Sequence, residues 1–127
     1  MIGYTTLGTN DLQKSSAFYD ALMAELGAKR IMDDGNFIVW GSSLDKPGFS
    51  ITAPFDGKTA TVGNGTMIAL TGESNAHVDA VYKKALELGA TCEGGPGDRG
   101  VPGMNFYAAY FRDLDGNKLN CFCTTGE

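Results

Sequence analysis

Histidine is almost missing from this sequence: 127 residues contain one, His77. Any site that needs an imidazole as ligand or base therefore has a single candidate. Basic runs are missing as well. Ten Lys and Arg stand against 15 Asp and Glu, a net charge of -5, and no cluster could neutralise a phosphate backbone, so nucleic acid is excluded as an expected partner. Apolar runs such as FIVW fall far short of a membrane span, and MIGYTTLGTNDLQKS lacks the charged head and long apolar stretch of a secretory signal. No membrane association and a cytoplasmic location are the expectations. With three cysteines, two of them (Cys121 and Cys123) on one predicted strand, there is no disulfide framework, and reduced, mostly structural thiols are expected.

What is present is the makeup of a folded domain, 43% hydrophobic and 20% charged. The tetrapeptide ELGA occurs at 25–28 and again at 87–90, each time closing a segment of helical periodicity. In NDLQKSSAFYDALMAELGA the Asn10–Gln13 pair has capping-box spacing, Leu12, Tyr19, Leu22, Met23 and Leu26 form the apolar stripe, and Gly27 is the stop. In ESNAHVDAVYKKALELGA the cap is Ser74 or Asn75, the stripe runs from Val78 to Leu88, and Gly89 is the stop. Before each helix lies a strand-like run, YTTLG or TMIALTG. After each come two more, FIVWGS and GFSITAP or NFYAAYFR and KLNCFCT, with a weaker strand at KRIM or TCE. The fold class expected is α+β, two tandem βαβββ modules, residues 1–60 and 61–127.

A sheet with a helix on one face leaves the other to be used, and two such sheets side by side can form one curved mixed sheet around a concave cleft. Strand alternation then assigns the lining. Phe49 and Ile51 point toward the helix and Ser50 and Thr52 toward the cleft; Leu119, Cys121 and Cys123 go one way, Asn120 and Phe122 the other. Trp40, Tyr107, Tyr110 and Phe122 lie on predicted strands, where core packing competes with stacking on a flat ligand.

The order of the modules, with YTTLGTNDLQKSSAFY, TMIALTG and FRDLDGNKLNCF, resembles the vicinal oxygen chelate superfamily, which includes glyoxalase I, bleomycin- and fosfomycin-resistance proteins and extradiol dioxygenases. The resemblance covers essentially the whole chain. In the last turn Leu114 replaces the family's proline, while Asp113, Asp115, Gly116 and Asn117 remain. By this resemblance, family enzymes hold a divalent metal with four side chains, two from each module. Here those positions carry Tyr4, Ser50, Met67 and Asn120. A phenol, a hydroxyl, a thioether and an amide replace the imidazoles and carboxylates that offset a divalent charge, so neither a metal nor another cofactor is expected.

Other patterns weigh less. GPGDRG has the letters of a dinucleotide fingerprint but no strand–turn–helix context, and DLDGN lacks the closing glutamate of a calcium loop. The segment 94–104 reads as a flexible loop that could close over the cleft, with Arg99 offering its donor fork to a carboxylate or phosphate, or simply solvated. His77 reads as a surface or capping residue.

The expected cleft residues are thus Tyr4, Ser50, Thr52, Met67, Asn120 and Phe122, with Trp40, Tyr107 and Arg99 as further candidates. The function expected is the binding of a small organic molecule without a metal, as the resemblance to bleomycin-binding relatives implies. The alternative is a glyoxalase-like lyase or isomerase, metal-free or with atypical donors, and a purely structural or interaction module is a third reading. A homodimer is implied by resemblance alone.

Overall fold

Both copies of ELGA end their helices by the same backbone device. The computed structural model describes residues 1–127, with helix α1 at Leu12–Glu25 and α2 at Asn75–Glu87. Gly27 and Gly89 adopt left-handed φ of 72° and 104°. That turn lets the Gly27 and Ala28 N–H groups donate to Ala24 and Met23, and those of Gly89 and Ala90 to Leu86 and Ala85. This is the Schellman pairing, which satisfies carbonyls the helix leaves open and needs a residue without a Cβ penalty at the glycine.

The helix starts differ from one another. Asp11, rather than Asn10, caps α1, its carboxylate accepting from the Lys14 N–H at 3.0 Å. Asn10 instead pairs with the backbone of Ala60 in both directions, at 2.7 and 3.2 Å. Ser74 caps α2 by accepting from the His77 N–H, and the His77 ring accepts the Glu73 N–H through Nδ1 at 3.1 Å. His77 thus serves the helix start, and Asn75 accepts from the Cys123 thiol at 3.0 Å.

The chain forms two units, Met1–Asn64 and Gly65–Glu127. In the first, strands β1 (Tyr4–Gly8), β2 (Lys29–Asp33), β3 (Phe37–Gly41) and β4 (Gly48–Thr52) make a sheet of order β1-β4-β3-β2. In the second, β5 (Ile68–Thr71), β6 (Thr91–Asp98), β7 (Tyr107–Arg112) and β8 (Lys118–Cys123) repeat it as β5-β8-β7-β6. The first and last strand of each unit pair parallel, and the other pairs are antiparallel. Each unit is a βαβββ module, and no helix is long and apolar enough to cross a membrane.

One difference from the sequence reading concerns residues 94–98, expected in a loop but found in β6. Its pairing with β7 shifts register twice around Gly94, which has φ 152°, and skips Pro96. Because β6 is an edge strand, a proline there costs no ladder bond that the sheet needs.

Each helix covers one face of its own sheet. In the first unit Tyr19 meets Phe49 and Trp40 at ring-centroid distances of 4.6 and 5.8 Å, with Leu22 and Ile51 fully buried beside them. Aromatic pairs of this kind contribute about 0.5–1.5 kcal/mol beyond area burial. In the second unit Val78, Val81, Ala85, Phe111, Leu119 and Cys121 are fully buried. Burial pushes the Cys121 thiol up to about 12, so it stays protonated.

A polar clamp ties α1 to the first sheet. Arg30 on β2 donates twice to Asp20, at 2.7 Å each, while the buried Trp40 indole N–H donates to the same carboxylate at 2.9 Å. These bonds, Arg30 foremost, hold the Asp20 carboxyl below its ordinary pKa against the opposing effect of burial. A depressed carboxylate contributes stability that is present above its unfolded value near pH ~4 and is lost as pH falls through its lower folded value. Both partners are more than a third exposed, so screening keeps the charge effect at or below about 1 kcal/mol. Asp20→Asn is expected to lower the urea midpoint at pH 7, with the gap to the parent chain closing as pH falls below ~4; a gap that persists unchanged into acid would show that the charge contributes nothing.

Candidate functional site

The face of each sheet turned away from its helix carries some, and not all, of the residues expected to face a ligand. In β4, Phe49 packs on Tyr19, so alternation turns Gly48, Ser50 and Thr52 to the helix-free side. Register carries this across the sheet: Tyr4 and Thr6 stand beside Gly48 and Ser50, and Val39 and Phe37 beside Ser50 and Thr52. Tyr4 is 59% exposed and meets Phe37 edge-on at 5.7 Å. The buried Ser50 hydroxyl donates to the Thr5 carbonyl at 2.7 Å and lies 2.7 Å from the Thr6 hydroxyl, which must then be the donor to it. Thr52 is bonded to the Asn36 and Ala53 carbonyls at 3.1 and 2.9 Å.

A hollow of about 180 Å³ opens at one end of this face, walled by Tyr4, Ile31, Met32, Val39 and Leu44, with Gly48 and Lys46 also lining it. Two consecutive residues of β2, Ile31 and Met32, reach it because the strand's pairing slips between Arg30 and Met32. A bulge of this kind places on one face a pair that strict alternation would divide. These residues were missed by sequence reasoning, since nothing in KRIM marks a bulge.

In the second unit, Cys121 and Cys123 turn toward α2, leaving Lys118, Asn120 and Phe122 on the helix-free side. Register adds Ala69 and Tyr110 beside Asn120, and Ala108 beside Phe122. Met67, 40% exposed, precedes β5 and continues its alternation on this side. Phe122 stacks on Phe106 at 5.4 Å. The side chain of Asn120 is buried, 2% exposed, and its Oδ1 has no hydrogen-bond partner. An unpaired buried acceptor costs about 1–3 kcal/mol, which makes it the least satisfied polar atom on this face.

Arg99 is present but largely used. Its Nε and one terminal nitrogen donate to the Ala108 carbonyl at 3.2 and 2.7 Å, and the same nitrogen donates to the carbonyls of Gly94 and Gly95. The guanidinium lies 5.0 Å over the Tyr110 ring, with the Lys118 ammonium 5.5 Å from that ring. These bonds, with the Arg99 N–H donating to Phe106 at 2.8 Å, pin the start of the loop to the edge of its sheet.

Two candidates lie on the wrong face for a ligand. Trp40 is 1% exposed, opposite Phe49 and bonded to Asp20 of α1. Tyr107 pairs in register with Cys123 and donates through its hydroxyl to Asp79 of α2 at 2.6 Å, a bond that raises its pKa above the ordinary phenol value. Both polar tips find partners on the covering helix, so both aromatics belong to the helix side rather than to the expected cleft.

The donors at the four positions where the resemblance implies metal ligands do not fit a divalent cation. Ser50 is engaged by Thr5 and Thr6, Tyr4 and Met67 offer a phenol and a thioether, and Asn120 offers a neutral amide oxygen. Nothing in that set offsets a double charge, and no group of three or more His, Cys, Asp or Glu side chains is placed to hold an ion.

The chain belongs to the Glyoxalase/Bleomycin resistance protein/Dioxygenase superfamily, whose model matches residues 1–121. Among solved structures it is similar to a glyoxalase/bleomycin resistance protein from Albidiferax ferrireducens T118, at 35% identity over 97% of this chain and 98% of that one, with a TM-score of 0.86. The fold is shared with a family enzyme from Burkholderia phytofirmans PsJN (19% identity, 96% and 97% covered, TM-score 0.75). It is shared too with a lactoylglutathione lyase from Agrobacterium tumefaciens (17% identity, 97% and 92% covered, TM-score 0.67). No curated protein matches the chain by sequence.

The two polar side chains at the centres of these faces make opposite demands on stability. Ser50→Ala removes the donor to the part-buried Thr5 carbonyl and the acceptor of the Thr6 hydroxyl and is expected to cost about 1 kcal/mol, whereas Asn120→Leu removes an unpaired acceptor and is expected to cost nothing or to stabilise. Denaturant unfolding of the two variants checks this; a larger loss for Asn120→Leu than for Ser50→Ala would contradict the assignment.

Proposed function

We propose that this member of the superfamily binds a small organic molecule on its helix-free sheet faces and does so without a metal. The observation that carries the reading is the Asn120 carbonyl oxygen, buried and unpaired on a face that also presents Phe122, Tyr110 and Met67. A ligand N–H or O–H directed at that atom would recover the hydrogen bond the protein leaves unmade, while aromatic and thioether surface takes up an apolar body. The mismatch between the four neutral donors and a divalent ion supports the metal-free form. A cytoplasmic location and, as the resemblance implies, pairing with a second copy are part of the same proposal.

A panel of small organic compounds screened by thermal unfolding tests the proposal. A true ligand at a hundredfold excess over its dissociation constant is expected to add about 2.7 kcal/mol of stability. Asn120→Leu is expected to weaken that ligand by about tenfold, the loss of a hydrogen bond worth about 1 kcal/mol or somewhat more. Recovery of the compound unchanged separates binding from the lyase or isomerase alternative, under which it would be converted. Failure of every compound to stabilise the chain would end the binding reading.

A further inference from the structure

The hollow on the first sheet differs in chemistry from the Asn120 face, and that difference names a class of guest. Its walls are apolar or aromatic: Ile31, Met32, Val39, Leu44 and the ring of Tyr4. Its one charged lining residue is Lys46, which has no ion-pair partner; the neighbouring carboxylate, Asp45, accepts from the Ser43 hydroxyl instead. The floor is bare because Gly48 has no side chain, and a Cβ there would come within 2.8 Å of the Val39 Cγ1. Leu44, 83% exposed, stands at the rim as an unburied apolar surface, and Met32 is 47% exposed beside it.

From these features we infer that the hollow takes a small aromatic or similarly flat carboxylate, its ring between Tyr4, Met32 and Leu44 and its carboxylate toward the Lys46 ammonium. This rests on the proposed small-molecule function and adds the ligand's class. Volume limits the guest: at about 180 Å³ the space is near that of a cavity that accepts benzene, roughly 150 Å³, and below the roughly 300 Å³ at which drug-sized sites begin. One six-membered ring with a short substituent fills it. Charge limits it further, since an unpaired ammonium on an otherwise apolar lining favours a single negative charge and disfavours a cation. Met32 supplies an adaptable thioether for a ring edge.

Three isosteric probes decide the matter: benzoate, neutral benzamide and cationic benzamidine, each titrated into the full chain and followed by amide chemical shifts. Benzoate is expected to move the signals of Gly3, Tyr4, Met32 and Gly48 and to bind about fivefold more tightly than benzamide, as a solvent-accessible charge contact allows, with benzamidine weakest. Lys46→Gln, an exposed-residue change that leaves the fold's signal dispersion intact, is expected to erase the preference for benzoate over benzamide. Leu44→Ala is expected to weaken both benzoate and benzamide without altering their ratio. Equal binding of the three probes, a preference that survives Lys46→Gln, shifts confined to other residues, or no benzoate binding would overturn the inference. The wider function fails separately: it stands if panel compounds stabilise the chain through Asn120 while benzoate does not bind, and falls only if no organic molecule binds anywhere.

Discussion

Each sheet of this protein has one helix, and a single helix can bury only one of the sheet's two faces. That constraint organises everything else. On the covered side of the first unit the aromatic rings of Tyr19, Trp40 and Phe49 close over Ile51 and Leu22, and the Asp20–Arg30 clamp anchors the helix to the strand beneath it. On the covered side of the second, Phe111 and Leu119 of the sheet and Val78 and Val81 of α2 are all fully buried. The helix-free sides carry mixed chemistry, with Ser50 and Asn120 buried among apolar and aromatic neighbours.

The polar groups on those sides are not alike. Ser50 is tied to β1 through the Thr5 carbonyl and the Thr6 hydroxyl, so its own hydroxyl acts as part of the sheet. Asn120 holds the corresponding central place in the second unit and is not satisfied. Placing a neutral amide where the resemblance implies a carboxylate ligand removes a charge and leaves an acceptor. That exchange suits an uncharged hydrogen-bond donor better than a cation. Lys46 brings the opposite preference to the first unit, a positive charge at the rim of an apolar hollow.

Much of the fold was legible because its signals are local. The glycine of each ELGA, the two apolar stripes and the turn residues of DLDGN mark elements within a few residues of themselves, and the turn survives Leu114 because Asp113 accepts the N–H groups of Asp115 and Asn117. Alternation within GFSIT and KLNCFC likewise separated Phe49 from Ser50 and Cys121 from Asn120 before any partner strand was known. What depends on register was not legible. Trp40 and Tyr107 look like any strand aromatics until pairing with Phe49 and Cys123 fixes their side, and Tyr110 joins the Asn120 face only through its pairing across β7 and β8. The hollow was hidden for the same reason: it needs the β2 bulge to bring Ile31 and Met32 together and a short connection to bring in Leu44 and Lys46. The cap of α1 read from the sequence at Asn10 falls one residue later, at Asp11, because Asn10 is held by Ala60, fifty positions away.

The central claim is chemical: at the four positions where the resemblance implies metal ligands, this fold presents neutral donors, one of them an unpaired amide oxygen. Elemental analysis of protein purified without chelator, followed by melting in the presence of zinc, nickel, manganese or ferrous iron, tests it most directly. The account predicts only trace metal and a melting temperature that neither added ions nor chelator changes. Stoichiometric metal that survives purification, stabilises the fold and is lost in Asn120→Leu would contradict it.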